Sequence, residues 1–222
     1  MTGSEEIIVA ATQNRHKVRE IEAITARFGM KIVPRDEAGV PPVEIVEDGT
    51  TFEENSYKKA AGIMKLCGRP TIADDSGLEV DCLRGAPGVY SARFAEMDDE
   101  FDWEAGDASD VEPGADPDDI DKANNRKLMK LLEAYPEEER TGRFVSVITM
   151  VFPDGETIAV RGTVEGKILT EERGDGGFGY DPMFIPDGYD KTFGELPAEL
   201  KNRISHRANA LVKLEEELRR RQ

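Results

Sequence analysis

Strands and helices alternate through the first third of the chain, and that alternation constrains the fold more than any single motif. Glu6-Ile-Ile-Val-Ala-Ala-Thr12 reads as a buried strand. Asn14 then makes a good N-cap for a helix over about Arg15–Phe28, with Val18, Ile21, Ile24 and Phe28 on one face. Ile32–Val33 is a short strand, Val43–Asp48 an extended edge and Thr51–Leu66 a helix; Thr71–Ala73 and the stretch beyond Leu78 are extended. Asn124–Tyr135 is a helix, and Arg143–Phe152 pairs with Glu156–Glu165 as a hairpin across Pro153-Asp154-Gly155. Ser205 caps a last helix that turns Leu211, Leu214 and Leu218 inward. This order predicts an α/β fold around a mixed sheet. At 222 residues, the chain is one domain over 1–222, or one domain with two lobes, and can bury an enzyme-sized core.

The net charge of −17 would repel a nucleic-acid backbone, so a duplex-binding role is disfavoured, while a small phosphorylated ligand stays open. Twelve acids and no Lys or Arg fall within residues 98–121, leaving −5 for the rest of the chain. With Gly106, Pro113, Gly114 and Pro117 among them, residues 97–121 read as an acidic loop excursion, a solvated charge run. The longest apolar stretch, near Phe144–Phe152, is far short of a membrane span, and Met1–Glu6 has no signal-peptide pattern, so a cytoplasmic protein with no membrane partner is expected. Cys67 and Cys82 form no CxxC cluster, and with two histidines in the chain a zinc site is disfavoured.

The chemistry concentrates at Asp74-Asp75-Ser76-Gly77, where an apolar segment runs into charge. Asp, Ser and Gly are ordinary turn residues, and alone they would be read as a corner. Adjacent carboxylates also suit Mg2+, which takes one or two protein carboxylates when phosphate oxygens supply further ligands. Two helix starts carry cations where the macrodipole is already positive: Asn14-Arg15-His16-Lys17 and Lys201-Asn202-Arg203-Ile204-Ser205-His206-Arg207. Both become favourable when an anion docks there, and Lys17 is the preferred phosphate ligand of the first. Gly174-Asp-Gly-Gly-Phe-Gly-Tyr-Asp-Pro182 formally contains GxGxxG, but Pro182 stops the helix a dinucleotide site needs. It reads better as a glycine-hinged loop presenting Phe178 and Tyr180 beside Asp181 for base stacking, against the alternative that both rings pack in the core.

Taken in order, Thr12-x-Asn14-x-x-Lys17, Thr51-Phe-Glu-Glu-Asn55, Ala73-Asp-Asp-Ser-Gly-Leu-Glu-Val80, Ala86-Pro-Gly-Val-Tyr-Ser-Ala-Arg93, Gly177-Phe-Gly-Tyr-Asp-Pro182 and Lys201-Asn-Arg-Ile-Ser-His-Arg207 resemble the inosine triphosphate pyrophosphatase (Ham1/RdgB-type) family. The resemblance covers nearly the whole chain. It implies a homodimer of two-lobed subunits around an elongated mixed sheet flanked by helices, hydrolysing noncanonical purine nucleoside triphosphates (ITP, dITP, XTP) to the monophosphate and pyrophosphate with Mg2+. Carried over, Thr12, Asn14 and Lys17 bind the triphosphate, Asp75 is general base and metal ligand, and Ser76 touches substrate. Phe178, Gly179, Tyr180 and Asp181, with Lys201, His206 and Arg207, form the base and sugar pocket, where Arg207 is the expected reader of the purine 6-carbonyl. Glu47 takes the second metal-carboxylate position by alignment, with Asp74 a third. Departures are Gln13 for a common Gly, Ser56 for Ala, Arg84 for Gly, and the acidic excursion. Two rivals stand beside this: a purine nucleotide-binding regulator without turnover, and a Maf-like nucleotide pyrophosphatase, against which the His206-Arg207 motif and the Asn14-x-x-Lys17 spacing speak.

Overall fold

A computed structural model of the protein describes residues 6–12, 15–97 and 117–221. In chain order the elements are β1 (Glu6–Ala10), α1 (Arg15–Thr25), β2 (Met30–Pro34), α2 (Phe52–Cys67), β3 (Thr71–Val80), α3 (Pro117–Leu132), β4 (Thr141–Val151), β5 (Thr157–Ile168), β6 (Phe184–Pro186), α4 (Ala198–Ile204) and α5 (His206–Arg220). Six strands form a mixed sheet in the order β2-β1-β3-β4-β5-β6. β1 is parallel to β2 and β3, each reached through a helical crossover, whereas β5 and β6 are antiparallel. Among the described residues no helix is long and apolar enough to cross a membrane.

The chain divides into two compact units, the first of residues 1–76, 146–163 and 206–222, the second of 77–145 and 164–205. In the first, β1 alternates: Ile8 and Ala10 join a core with Val18 and Ile21 of α1 and Leu211 and Leu214 of α5, while Val9 and Ala11 join another with Ala60, Ala61 and Ile63 of α2. The run is apolar throughout because both of its faces are covered. At Gly162 the backbone of α5 lies so near that a Cβ would strike the His206 carbonyl and the Ala210 amide, which fixes where α5 begins. The second unit has its own core, in which Phe144, Phe184 and Phe193 cluster with Leu78, Leu128, Leu132 and Tyr180.

Four expectations change. Val43–Asp48 is not a strand; Pro41 and Pro42 just before it have no N–H for a ladder, and the Val43 carbonyl is held by Arg35 instead. Asp74–Gly77 is no corner but the middle of β3, because pairing and burial in a central strand override turn propensity. The helix expected from Asn124 begins at Pro117, where Pro in the first turn and the acids that follow suit a helix N-terminus. The last part of the acidic run is therefore helical, and residues 98–116 lie outside the described residues. Finally, Lys201–Arg207 is not one helix start: α4 ends at Ile204, Ser205 is extended, and α5 opens at His206.

Candidate active site

Because side chains alternate along a strand, the sequence neighbours Asp74 and Asp75 of β3 point to opposite faces. Ile72 belongs to the α1/α5 core and Ala73 to the α2 core, so Asp74 and Ser76 follow Ile72 and Asp75 follows Ala73. Their partners differ accordingly.

Asp74 is buried and saturated. Its Oδ2 lies 2.6 Å from Lys17 Nζ and 3.4 Å from Arg207 Nη2, and accepts from Ser76 Oγ at 2.8 Å. Its Oδ1 accepts from Ser146 Oγ at 2.5 Å. Burial alone would raise its pKa, but the Lys17 and Arg207 charges and the hydroxyl donors hold it well below the usual carboxylate range. Lys17, from α1, also donates to Ser76 Oγ at 3.1 Å, and Arg207, from the first turn of α5, donates to the same oxygen at 3.3 Å. Burial, with the neighbouring Arg207 and Lys59 charges, pulls Lys17 below its ordinary value despite Asp74. An arriving anion would relieve that.

Asp75 has the opposite demand. Its Oδ1 takes Lys59 Nζ of α2 at 2.7 Å, and the same ammonium lies 2.9 Å from Glu47 Oε2. Asp75 Oδ2 is buried and has no hydrogen-bond partner among the described residues. Burial outweighs the attraction of Lys59 and raises the Asp75 pKa, so an arriving cation would be stabilising. Glu47 is placed by the start of α2: Thr51 caps Glu54 N–H at 3.1 Å, Glu54 reaches back to Thr50 N–H at 2.7 Å, and Asn55 Oδ1 takes Gly49 N–H at 2.8 Å. The Thr51-Phe-Glu-Glu-Asn55 motif is thus the lock that holds the Glu47 loop. Among the described residues no three His, Cys, Asp or Glu side chains cluster as a metal cage. Glu47 and Asp75 form a two-carboxylate set of the kind that suits Mg2+ with phosphate and water oxygens, and Asp74 stands apart from it on the other face.

In the second unit the glycine-rich loop is built around Asp181, which accepts the Phe178 N–H at 2.8 Å and pairs with Lys201 of α4. A Cβ on Gly177, whose φ is +80°, would collide with that carboxylate. Phe178 is 44% exposed, with the Lys201 ammonium 4.8 Å from its ring centroid. Tyr180 takes the core alternative: its ring is buried and its hydroxyl donates to the Ser91 carbonyl at 2.8 Å. One aromatic face is therefore available, not two.

Thr12 follows β1 and is half-buried; Asn14, like Gln13, lies outside the described residues. His206 is buried at the first position of α5. Sequence reasoning missed Lys59 and Ser146. Lys59 stands one helical turn beyond Asn55, a spacing that could have flagged it; Ser146 lies in an apolar strand and carried no signal. Of the departures, Ser56 bonds Thr149 Oγ1 at 2.8 Å within the core, and Arg84 adopts the left-handed φ of 53° that a glycine would take more cheaply.

Lys17 and Arg207 on one face of β3, and the Glu47–Asp75 pair with Lys59 on the other, give an α/β protein a set of side chains that can take a polyanion and a cation. The particular kinship comes from comparison with known proteins. The family model described as the Ham1 family matches residues 8–217, and the chain belongs to that family. It is 45% identical over 214 residues to the dITP/XTP pyrophosphatase of Desulforamulus reducens, covering 96% of each chain, and 42% identical over 217 residues to that of Clostridium perfringens, covering 95% of this chain and 96% of the relative. Among solved structures it superposes on the Staphylococcus aureus Ham1 protein with TM-score 0.81 at 36% identity, covering 98% of this chain and 100% of that one. The nucleoside-triphosphatase or dITP/XTP pyrophosphatase of Mycobacterium abscessus gives TM-score 0.71 at 36% identity, over 94% of this chain and 98% of that one.

Proposed function

We propose that the protein hydrolyses noncanonical purine nucleoside triphosphates, ITP, dITP and XTP, to the nucleoside monophosphate and pyrophosphate. The observation that carries this is the division of labour across β3. Lys17 and Arg207 gather at Asp74 on one face, while Asp75, with a buried unpartnered oxygen, shares Lys59 with Glu47 on the other. Glu47 and Asp75 would hold Mg2+, whose charge stabilises negative charge on the phosphates when bound.

The chain's own groups do the rest. Lys17 neutralises phosphate oxygens, with Thr12 and Asn14 assigned to the same triphosphate by the family resemblance. Asp74, kept ionised by its cations, fixes Lys17, Arg207 and Ser76 in place rather than ligating metal. Asp75 takes a proton from a water whose oxygen bonds to the α-phosphorus; the bond from the α-phosphorus to the bridging oxygen breaks, and pyrophosphate leaves. Burial raises the metal-free Asp75 carboxyl above its ordinary pKa, and a bound cation would draw it back down and keep it ionised as a proton acceptor. In the second unit Phe178 stacks on the base and Lys201 and Asp181 supply polar contacts, while the family resemblance assigns recognition roles to His206 and Arg207 as well. Nη2 of Arg207 is held by Asp74 and Ser76, and its donor-only guanidinium is the group the family resemblance assigns to a purine 6-carbonyl.

The test is pyrophosphate release from ITP, dITP, XTP, GTP and ATP with and without Mg2+. Release from the first three, dependent on the metal, is expected. Tight binding of ITP without turnover would instead identify a nucleotide-sensing regulator. We also infer a cytoplasmic homodimer, as the family resemblance implies; sedimentation at micromolar concentration would reveal a monomer if that is wrong.

A further inference from the structure

Asp121 Oδ2 accepts the Gly179 N–H at 2.6 Å, and Asn125 Nδ2 donates to the Gly179 carbonyl at 3.1 Å. We propose that these two side chains of α3 are positioning residues for base recognition, a two-point clamp that sets the conformation of the Gly177–Asp181 loop before a nucleotide arrives. The proposal rests on the reading that this loop contacts the base.

Residues four apart on a helix share a face, so Asp121 and Asn125 meet the loop side by side. Both polar groups of one backbone residue are taken, one by an acceptor and one by a donor, as a neighbouring strand would take them. The Asn125 amide is oriented by chemistry. Its Nδ2 lies 3.1 Å from the Gly179 carbonyl and 2.6 Å from Glu172 Oε1, both acceptors, so the NH2 must face them. Asn125 is 2% exposed, so this is a built contact within the fold and not a surface encounter.

Such a clamp has a reason to exist. Gly174, Gly177 and Gly179 all have positive φ, and a segment this rich in glycine has much conformational freedom to lose on binding. Fixing it in advance improves affinity without any new contact to the ligand. Gly179 has φ +59° with no described atom within contact of the place a Cβ would take, and the two hydrogen bonds from α3 fix both of its backbone polar groups. Its N–H is committed to Asp121, which leaves recognition in this stretch to Phe178 and to Asp181 with Lys201.

The test is steady-state kinetics on ITP with the full chain and Mg2+, alongside melting temperatures, for Asp121→Ala, Asp121→Asn, Asn125→Ala, Glu172→Ala and Phe178→Ala. Losing one such hydrogen bond should raise KM about tenfold for Asp121→Ala and Asn125→Ala, with kcat within about twofold. Asp121→Asn keeps an acceptor oxygen and should restore KM to within about threefold of wild type. Glu172 is exposed, so its alanine variant folds and should still raise KM several-fold by releasing Asn125. If Phe178→Ala raises KM but neither the α3 variants nor Glu172→Ala do, or if they lower kcat at constant KM, the clamp is wrong. If Phe178→Ala itself leaves KM unchanged, the base-loop reading fails first.

Discussion

Lys59 reaches from α2 to within 2.7 Å of Asp75 Oδ1 on β3, and the same ammonium takes Glu47 Oε2 at 2.9 Å. Burial would push Lys59 down, but Asp75 and Glu47 more than compensate and hold it above its ordinary value, so it stays charged. One internal cation thus keeps two carboxylates together until a divalent ion takes up part of their charge. Without it, the carboxylates would repel. Lys59→Met should therefore melt at a lower temperature than wild type without divalent ions, and should gain more in melting temperature from Mg2+ than wild type does. Equal Mg2+ responses in the two proteins would remove Lys59 from this role.

Asp75→Asn keeps the shape of the side chain and removes its basicity. Turnover of ITP should fall by roughly 10²–10⁴, the range for a lost general base, while the circular dichroism spectrum is unchanged. Near wild-type turnover would transfer the role to Glu47.

The two aspartates should titrate on opposite sides of their ordinary range. Asp75 is raised because burial outweighs Lys59, so in metal-free protein its carboxyl resonance should move at a pH above the ordinary aspartate range, and higher still in Lys59→Met. Asp74 resists burial through Lys17 and Arg207 and is depressed. A depressed acid stabilises the fold above its unfolded pKa of about 3.9, and that contribution is lost as pH falls through the folded value. The stability gap between wild type and Asp74→Asn, read from urea unfolding, should therefore be constant above about pH 5 and shrink below about pH 4.

How much of this the sequence disclosed depended on the range of the physics. Features set within a few residues were legible: the β1-to-α1 alternation, the helix from about Thr51, the hairpin at Pro153-Asp154-Gly155 and the Leu211, Leu214 and Leu218 stripe. Asp74–Gly77 was misjudged because turn chemistry is local, whereas the burial that makes it strand comes from β1 and β4 on either side. Asp74 and Asp75 looked like a pair for the same reason, since only once they are known to lie in a strand does their spacing separate them. Ser146 and the Asp121–Asn125 clamp were out of reach, as each acts across 54 to 72 residues, and Lys59 was signalled only by its place one turn beyond Asn55.

The acidic run now divides. Residues 119–121 belong to α3 and Asp121 has work there, whereas Glu100–Asp116 carries charge with no phosphate-binding logic. Replacing Glu100–Asp116 with a short Gly/Ser linker should leave KM for ITP within a few-fold at moderate salt. Fluorescence or calorimetric binding that fell by much more, or loss of self-association in sedimentation, would make this segment a working part.

Arg207 sets the last expectation. Its Nη2 lies 3.4 Å from Asp74 Oδ2 and 3.3 Å from Ser76 Oγ, with the side chain buried. A guanidinium has five donors and no acceptor, so those not turned toward Asp74 can only donate. Hypoxanthine and xanthine offer a carbonyl at position 6; adenine offers an amino group, so donor would meet donor. Leaving a buried polar group unpaired costs about 1–3 kcal/mol, and sites built around such bonds discriminate by roughly 10⁴ or more. GTP has the same 6-carbonyl, so its rejection must come from what surrounds its 2-amino group. ITP and XTP should therefore exceed both ATP and GTP in kcat/KM, and Arg207→Ala should narrow the gap to ATP more than the gap to GTP. Since Arg207 also helps hold Asp74, absolute rates will fall for every substrate, and only the ratios separate the two roles. If both gaps narrow equally, Arg207 serves the phosphates through Asp74, and reading of the base passes to the loop that Asp121 and Asn125 hold.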